Sequence, residues 1–199
     1  MSRSPEKKLA LFDFDGTITK NDTLLIFTKF YHGKLKFLFG LLYLSPTLIL
    51  LKLNLIKNTL AKERFLTYFF AGESEEDFNR KCVEFSKQIV PDLVRSKALE
   101  TLVDLKKEYE IYVVSASPQN WVKPWCDEVG INCIATRLET DSNKLTGRLL
   151  GKNCYGAEKL ERINKILDIS AYTEILVYGD SKGDIEMSSI ATKYHHKSF

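Results

Sequence analysis

The stretch Leu9-Ala10-Leu11-Phe12-Asp13-Phe14-Asp15-Gly16-Thr17 decides the fold: four apolar residues run directly into two carboxylates and a glycine. Such a run reads as a strand buried on both faces, as strands of parallel sheets are. Two further segments repeat the design. Ile111-Tyr112-Val113-Val114 ends in Ser115-Ala116-Ser117, and Ile175-Leu176-Val177-Tyr178 ends in Gly179-Asp180-Ser181-Lys182-Gly183-Asp184. A helix-like pattern follows each of them, so the expected class is α/β. In open parallel sheets ligands bind outside the carboxyl ends of the strands, and three polar tips are therefore expected to face one crevice.

The 199 residues are 44% hydrophobic and 28% charged, enough apolar side chain for one core, which excludes disordered and collagen-like classes. Lysine and arginine number 29 against 26 acidic residues, interspersed along the chain, so no nucleic-acid partner is expected. Cys82, Cys126, Cys133 and Cys154 lack a C-x-x-C spacing, and His32, His195 and His196 stand apart from any cysteine pair. They read as reduced thiols of a cytosolic protein without zinc. Met1 to Lys8 is polar and only a short apolar run precedes Asp13, so no signal peptide is expected.

Between the first two strands the chain reads as nearly all helix. Asn21-Asp22-Thr23 offers caps for Leu24 to Tyr31, and Ser74-Glu75-Glu76-Asp77 opens a helix carrying Phe78, Cys82, Phe85 and Ile89, with Pro91 at its end. The expected organisation is a core of residues 1–19 and 95–199 with a helical insertion at 20–94. Within that insertion, 35–56 is unusually apolar. Its uncharged part, Phe37 to Leu51, is shorter than the ~20 residues a spanning helix needs, and Ser45-Pro46 reads as a cap and first helical residue. Two short helices forming an apolar hairpin are expected. Lys34, Lys36, Lys52 and Lys57 bracket them, which leaves two outcomes open: peripheral contact with one membrane leaflet, or burial as a hairpin or dimer surface. Ile134 to Glu139 and Leu145 to Leu149, joined by Thr140 to Lys144, read as a β-hairpin at one side of the crevice.

The tips carry the chemistry. Asp13, Asp15, Asp180 and Asp184 repel one another in a shared crevice, by ~1 kcal/mol per pair at ~4 Å in water and several times that near protein. A divalent cation relieves the repulsion, and all-oxygen ligands suit Mg2+, which takes one or two carboxylates plus substrate phosphate oxygens. Ser115, with the N–H groups of Ala116 and Ser117, offers donors to a phosphoryl oxygen. The cation that phosphoryl transfer also wants lies in Gly151 to Lys159, with Lys159 preferred and Lys152 in reserve. Each feature alone has a bland reading as a turn, a helix cap or a surface lysine. Their coincidence at strand ends is what points to function.

In this order, Asp13-x-Asp15-Gly16-Thr17, Ser115, Lys159 and Gly179 to Asp184 resemble the four motifs of the haloacid dehalogenase superfamily of phosphatases, in its phosphoserine-phosphatase-like branch, subfamily IB. The resemblance implies a Rossmann-like parallel-sheet core with an all-helical C1-type cap inserted between the first and second motifs. It implies that Asp13 attacks phosphorus and that Asp15 protonates the leaving alcohol and then activates water. It also implies Mg2+ at Asp13, the main-chain carbonyl of Asp15 and Asp180, with Asp184 fixing its waters or the loop. Ser115, Ala116, Ser117 and Lys159 would bind the substrate phosphate. The apolar segment, Ser115-Ala116-Ser117-Pro118-Gln119, the hairpin with Arg137, and Cys154 to Lys159 are similar to the narrower phosphatidylglycerophosphatase C family. That likeness implies hydrolysis of a lipid or other amphiphilic phosphomonoester in the cytoplasm, at the inner face of a membrane, with Arg137 on the substrate. The alternative is a soluble phosphatase for phosphoserine or another small metabolite; a non-catalytic binding module is a third. Tyr31, Arg64 and Tyr68 join Arg137 as candidates for specificity. The tail from Tyr194 to Phe199 reads equally as an edge strand or a frayed end.

Overall fold

Leu9, Ala10, Leu11 and Phe12 have no solvent exposure, as a strand at the centre of a parallel sheet requires. The computed structural model describes residues 7–199, so the polar stretch at 1–6, read above as no signal peptide, lies outside the described residues. From that central strand, β1 (Lys7–Phe12), the chain enters α1 (Thr23–Lys52), α2 (Asn58–Phe70), α3 (Glu75–Gln88) and the single turn α4 (Val90–Leu93). It returns through α5 (Ser96–Leu105) to β2 (Glu110–Pro118), α6 (Gln119–Val129) and β3 (Asn132–Thr136). A hairpin of β4 (Leu138–Asp141) and β5 (Lys144–Leu149) precedes α7 (Ala157–Ile166), β6 (Tyr172–Gly179), α8 (Ile185–Ser188) and β7 (Lys193–His196).

The main sheet has the order β3-β2-β1-β6-β7 and every pair in it is parallel. The carboxyl ends of β1, β2 and β6 therefore lie along one edge, and their order reverses at β1. Alternation along β1 sends Ala10 and Phe12 to one core and Leu9 and Leu11 to another. The first core contains Leu102 of α5 and Trp121 of α6, and the second contains Ile163 of α7 and Met187 of α8. The tail is an edge strand: β7 pairs with β6, and Phe199 stacks on Tyr178 at 5.4 Å.

An aromatic knot joins the helical segment to the sheet. Phe27 of α1 stacks on Trp121 at 4.6 Å and meets Phe70, Phe78 and Phe85 at 5.3–5.7 Å. Such pairs each contribute about 0.5–1.5 kcal/mol beyond area burial. Two backbone bonds close the base of the segment, from Lys20 N–H to the Leu93 carbonyl and from Arg95 N–H to the Ile18 carbonyl, both 2.9 Å.

Two expectations need correction. The apolar stretch 35–56 is not a helical hairpin, because α1 continues through Ser45-Pro46 to Lys52. Pro46 leaves the Leu42 carbonyl without its N–H partner, and Ser45 Oγ donates to that carbonyl at 2.7 Å, so the helix survives. The break falls at Gly33 instead, whose φ of 78° only glycine adopts cheaply. The proposed β-hairpin is also displaced by one element. Ile134 to Thr136 belongs to β3 in the main sheet, and the true hairpin, β4 with β5, packs on α2 through the close approach of Gly147 to Thr67.

Candidate active site

Asp13 is the first residue beyond β1, and its N–H donates to the Tyr178 carbonyl at 2.9 Å, which extends the β1–β6 ladder to the site. Opposite it, Gly156 N–H donates to the Gly183 carbonyl at 3.0 Å and ties the start of α7 to the loop after β6. That tie turns Lys159, in the first turn of α7, inward. Lys159 is 1% exposed, and its Nζ donates to Asp13 Oδ1 at 2.6 Å and Asp184 Oδ1 at 2.7 Å. The other oxygen of Asp184 accepts from the N–H groups of Asp180 and Ser181 and from Ser181 Oγ at 3.0–3.2 Å, forming a capping box.

Burial pushes the Asp13 carboxyl up to about 7 against the pull of Lys159. Burial alone would lower the ammonium of Lys159, but Asp13 and Asp184 outweigh it and hold the group protonated. Burial and the neighbouring Asp184 also raise Asp180. Carboxylate oxygens of Asp13, Asp180 and Asp184 lie within 4.8 Å of one another, and Asp180 Oδ1 is buried without a hydrogen-bond partner. An orphaned anionic oxygen in an all-oxygen cluster fits a small hard cation such as Mg2+.

Asp15 is held apart from that cluster by the start of α1. Its Oδ1 accepts from Thr23 N–H at 2.7 Å and Thr23 Oγ at 2.6 Å, and its Oδ2 accepts from Ser117 Oγ at 2.5 Å. Trp121 Nε1 donates to Thr23 Oγ at 3.1 Å, and Asp22 caps the helix by accepting from Leu24 and Leu25. Burial, reinforced by Asp22, raises the Asp15 carboxyl above its ordinary value despite these bonds. Asp13 and Asp15 thus stand two residues apart with different surroundings, a cation beside one and hydroxyls beside the other.

A cavity of about 380 Å³ opens over both carboxylates, with Ala116, Ser117 and Lys159 also in its floor. Its wall is apolar, from Leu24, Leu25, Leu48 and Leu51 of α1 and Ala61 and Phe65 of α2. Asp22, Asn58, Lys62 and Tyr155 add polar groups.

The structure brings together Asp13, Asp15, Ser117, Lys159, Asp180 and Asp184. Ser115 lies fully buried beneath the cavity, and its Oγ accepts from the Ser117 N–H at 2.9 Å, so that N–H, expected to be free for a phosphoryl oxygen, is already engaged. Arg137, between β3 and β4, lines a separate cleft with Asn79, Asn120 and Lys123 and is not among the residues that line the cavity over Asp13. Lys152 is exposed and paired with Glu158 and Glu161. Tyr31 donates to Glu73 inside the aromatic knot, while Arg64 and Tyr68 line a groove on the outer side of α2. Sequence reasoning missed Lys62, whose Nζ donates to the Ala116 carbonyl at 2.6 Å and Asn153 Oδ1 at 3.2 Å. Burial lowers it to about 8. The available signal was a lysine beside Ala61 and Phe65 on the inward face of α2.

Comparison with known proteins bears on this geometry. Protein CicA of Caulobacter vibrioides is 30% identical over 197 residues, covering 98% of this chain and 87% of that protein. A protein of unknown function from Bordetella pertussis Tohama I superposes with a TM-score of 0.83 at 20% identity, over 95% of this chain and 89% of that one. A phospho-aspartyl intermediate analogue of phosphoserine phosphatase gives 0.69 at 22% identity, over 95% and 85%. A substrate-bound phosphoserine phosphatase gives 0.70 at 21%, over 97% and 87%. The structural likenesses establish a shared fold. A model of the haloacid dehalogenase-like hydrolases matches residues 10–189, from the middle of β1 to just past the acidic loop after β6, and the chain belongs to that family.

Proposed function

We propose that the protein is a magnesium-dependent phosphomonoester hydrolase working through an aspartyl-phosphate on Asp13. The observation that carries this reading is the buried Asp13–Lys159–Asp184 triad at the end of β1, with Asp15 held separately above it. Asp13, Asp180 and the main-chain carbonyl of Asp15 would hold Mg2+, with Asp184 fixing the loop. When bound, the ion neutralises charge on the phosphoryl oxygens. An oxygen of Asp13 attacks phosphorus, and the bond from phosphorus to the leaving oxygen breaks. Asp15, raised by burial, gives that oxygen its proton, then takes one from the water that attacks the aspartyl-phosphate, releasing phosphate and regenerating Asp13. Lys159 faces the charge that develops on the phosphoryl oxygens. Residues 20–94 serve as a cap over a core of 1–19 and 95–199, and the four free cysteines support a cytoplasmic setting.

For the substrate, Asp22 and Lys62, which both line the cavity, complement the ammonium and carboxylate of a small ester such as phosphoserine. A second reading rests on the leucine wall, which suits an amphiphilic phosphomonoester such as phosphatidylglycerophosphate. Phosphate release is measured from phosphoserine, other soluble esters and phosphatidylglycerophosphate in mixed micelles, with Mg2+ or EDTA. Hydrolysis that requires Mg2+ and is abolished in Asp13→Asn is expected. Silence towards the whole panel, or full activity in Asp13→Asn, refutes the reading.

A further inference from the structure

The outer face of α1 leaves a continuous run of large apolar side chains uncovered by the fold. Leu35, Phe39, Leu42 and Tyr43 are 67–73% exposed, and Leu38, Ile49 and Leu53 continue the face at 49–60%. No charged residue interrupts it between Lys36 and Lys52. Monomeric soluble proteins seldom leave such a stripe open to water.

The helix is long and apolar enough to cross a bilayer, yet its opposite face is committed to the protein. Gly40, Leu44 and Thr47 are buried against α2, where any side chain on Gly40 would strike Phe69 and Tyr68. The first turn of α1 meanwhile holds Asp15. A helix fixed along one side lies along a membrane, not through it.

Charge identifies the occupant. From Thr23 to Lys62 the chain has six lysines and no acidic residue, although its net charge is only +3, so the remainder is net negative. Lys34 and Lys36 flank one end of the face, and Lys52 and Lys57 the other. Beside it, Tyr43 stacks on Tyr68 at 5.0 Å, and the adjoining groove carries Arg64 and Arg148, with Glu63 engaged by the Leu149 N–H. Exposed aromatics beside arginines suit the level of phospholipid headgroups. A second copy docked through this face would bring one set of lysines against another.

We infer that the outer face of α1 docks in the plane of an anionic phospholipid bilayer. The cavity over Asp13 shares Leu48 and Leu51 with this helix, so docking places its apolar wall beside the membrane surface. The inference goes beyond the proposed reaction and stands or falls separately from it.

The test is sedimentation of the full chain with vesicles of phosphatidylcholine alone or mixed with phosphatidylglycerol, at low and high salt. Binding to the mixed vesicles that weakens with salt is expected. The solvent-facing triple variant Leu35→Gln/Phe39→Gln/Leu42→Gln, with its melting temperature unchanged, is expected to bind about a hundredfold more weakly. Removing Lys34, Lys36, Lys52 and Lys57 by glutamine substitution is expected to cost about fivefold per lysine with the mixed vesicles. Asp13→Asn is expected to bind as the parent does, which separates docking from catalysis. The inference is overturned if the protein stays in the supernatant with phosphatidylglycerol vesicles, or if the triple variant binds unchanged. It is equally overturned if the vesicle-free protein is a dimer that the triple variant dissociates, since a second copy then covers the face.

Discussion

Replacing Lys159 by methionine keeps most of the side-chain volume while removing the positive charge between two buried carboxylates. Asp13 is 7% exposed and Asp184 is wholly buried, and among the described residues no other ion pair reaches either of them. Removing one partner of a buried pair costs about 3–5 kcal/mol, because the remaining charge has nowhere to discharge its desolvation. Two carboxylates share this ammonium, so a loss of about 4 kcal/mol is expected at neutral pH in EDTA. The deficit has a pH signature. Burial already lifts Asp13 from its ordinary 3.8 to about 7, and losing Lys159 lifts it further. A carboxyl raised on folding binds its proton more tightly in the native state, so its contribution is complete below about pH 4 and is lost as the pH climbs through the folded value. The variant's deficit is therefore smallest in acid and grows towards neutrality. Urea unfolding at about pH 5 and about pH 7.5 measures this, and the expected gap corresponds to a midpoint shift of about 2 M at neutral pH. A gap below about 1 kcal/mol at neutral pH, or one that does not shrink in acid, would refute the electrostatic account of the site.

Three further outcomes are expected. Asp15→Asn lowers kcat/KM, which reports the phosphoryl-transfer step alone, by about 10²–10⁴ on alkyl phosphates but much less on p-nitrophenyl phosphate, whose leaving group needs no proton; equal losses in kcat/KM on both would remove Asp15 as the acid. If Lys62 receives the substrate carboxylate, KM for phosphoserine rises as the pH climbs through about 8, where this buried amine sheds its charge, while kcat stays level; persistence of that inflection in Lys62→Met would assign it elsewhere. Ser45→Ala strips the Leu42 carbonyl of its donor at the Pro46 gap and lowers stability by about 1 kcal/mol; a urea midpoint equal to the parent's would mean that water serves that carbonyl as well.

What could be read from the chain depended on whether the signal was local. The runs before Asp13, Ser115 and Asp180 are buried on both faces, so continuous hydrophobicity revealed the strands and their polar ends revealed the tips. Lys159 over Lys152 was legible too, since glycine at 156 and the rhythm of α7 place position 159 inward. Ser45-Pro46 misled because a proline's local preference was satisfied by a hydroxyl one residue away. Arg137 lies in a cleft apart from the cavity over Asp13, since nearness to the motifs along the chain does not by itself bring a side chain to the strand tips. Counting charge over the whole chain hid the absence of acids between Thr23 and Lys62, which a window of that length displays at once. Lys62 was invisible for a different reason: its partners, Ala116 and Asn153, arrive from segments 54 and 91 residues away.

One helix thus carries three duties, and the position of its break keeps them from interfering. The first turn of α1 is fixed by the Asp22 cap, by Trp121 on Thr23 and by Phe27 in the aromatic knot, and this turn sets where Asp15 stands. Gly33 then interrupts the regular helix just before the apolar outer face, which opens at Leu35. Beyond it, Gly40, Leu44 and Thr47 seat the second length on α2, and α2 in turn is braced by β5 at Thr67 and Gly147. A force applied to the outer face of residues 34–52 is therefore taken up by α2 and the hairpin, on the far side of Gly33 from the Thr23–Asp15 bonds. Docking need not disturb the acid, and this is why vesicle binding and ester hydrolysis serve as independent readouts of the two ends of the same helix.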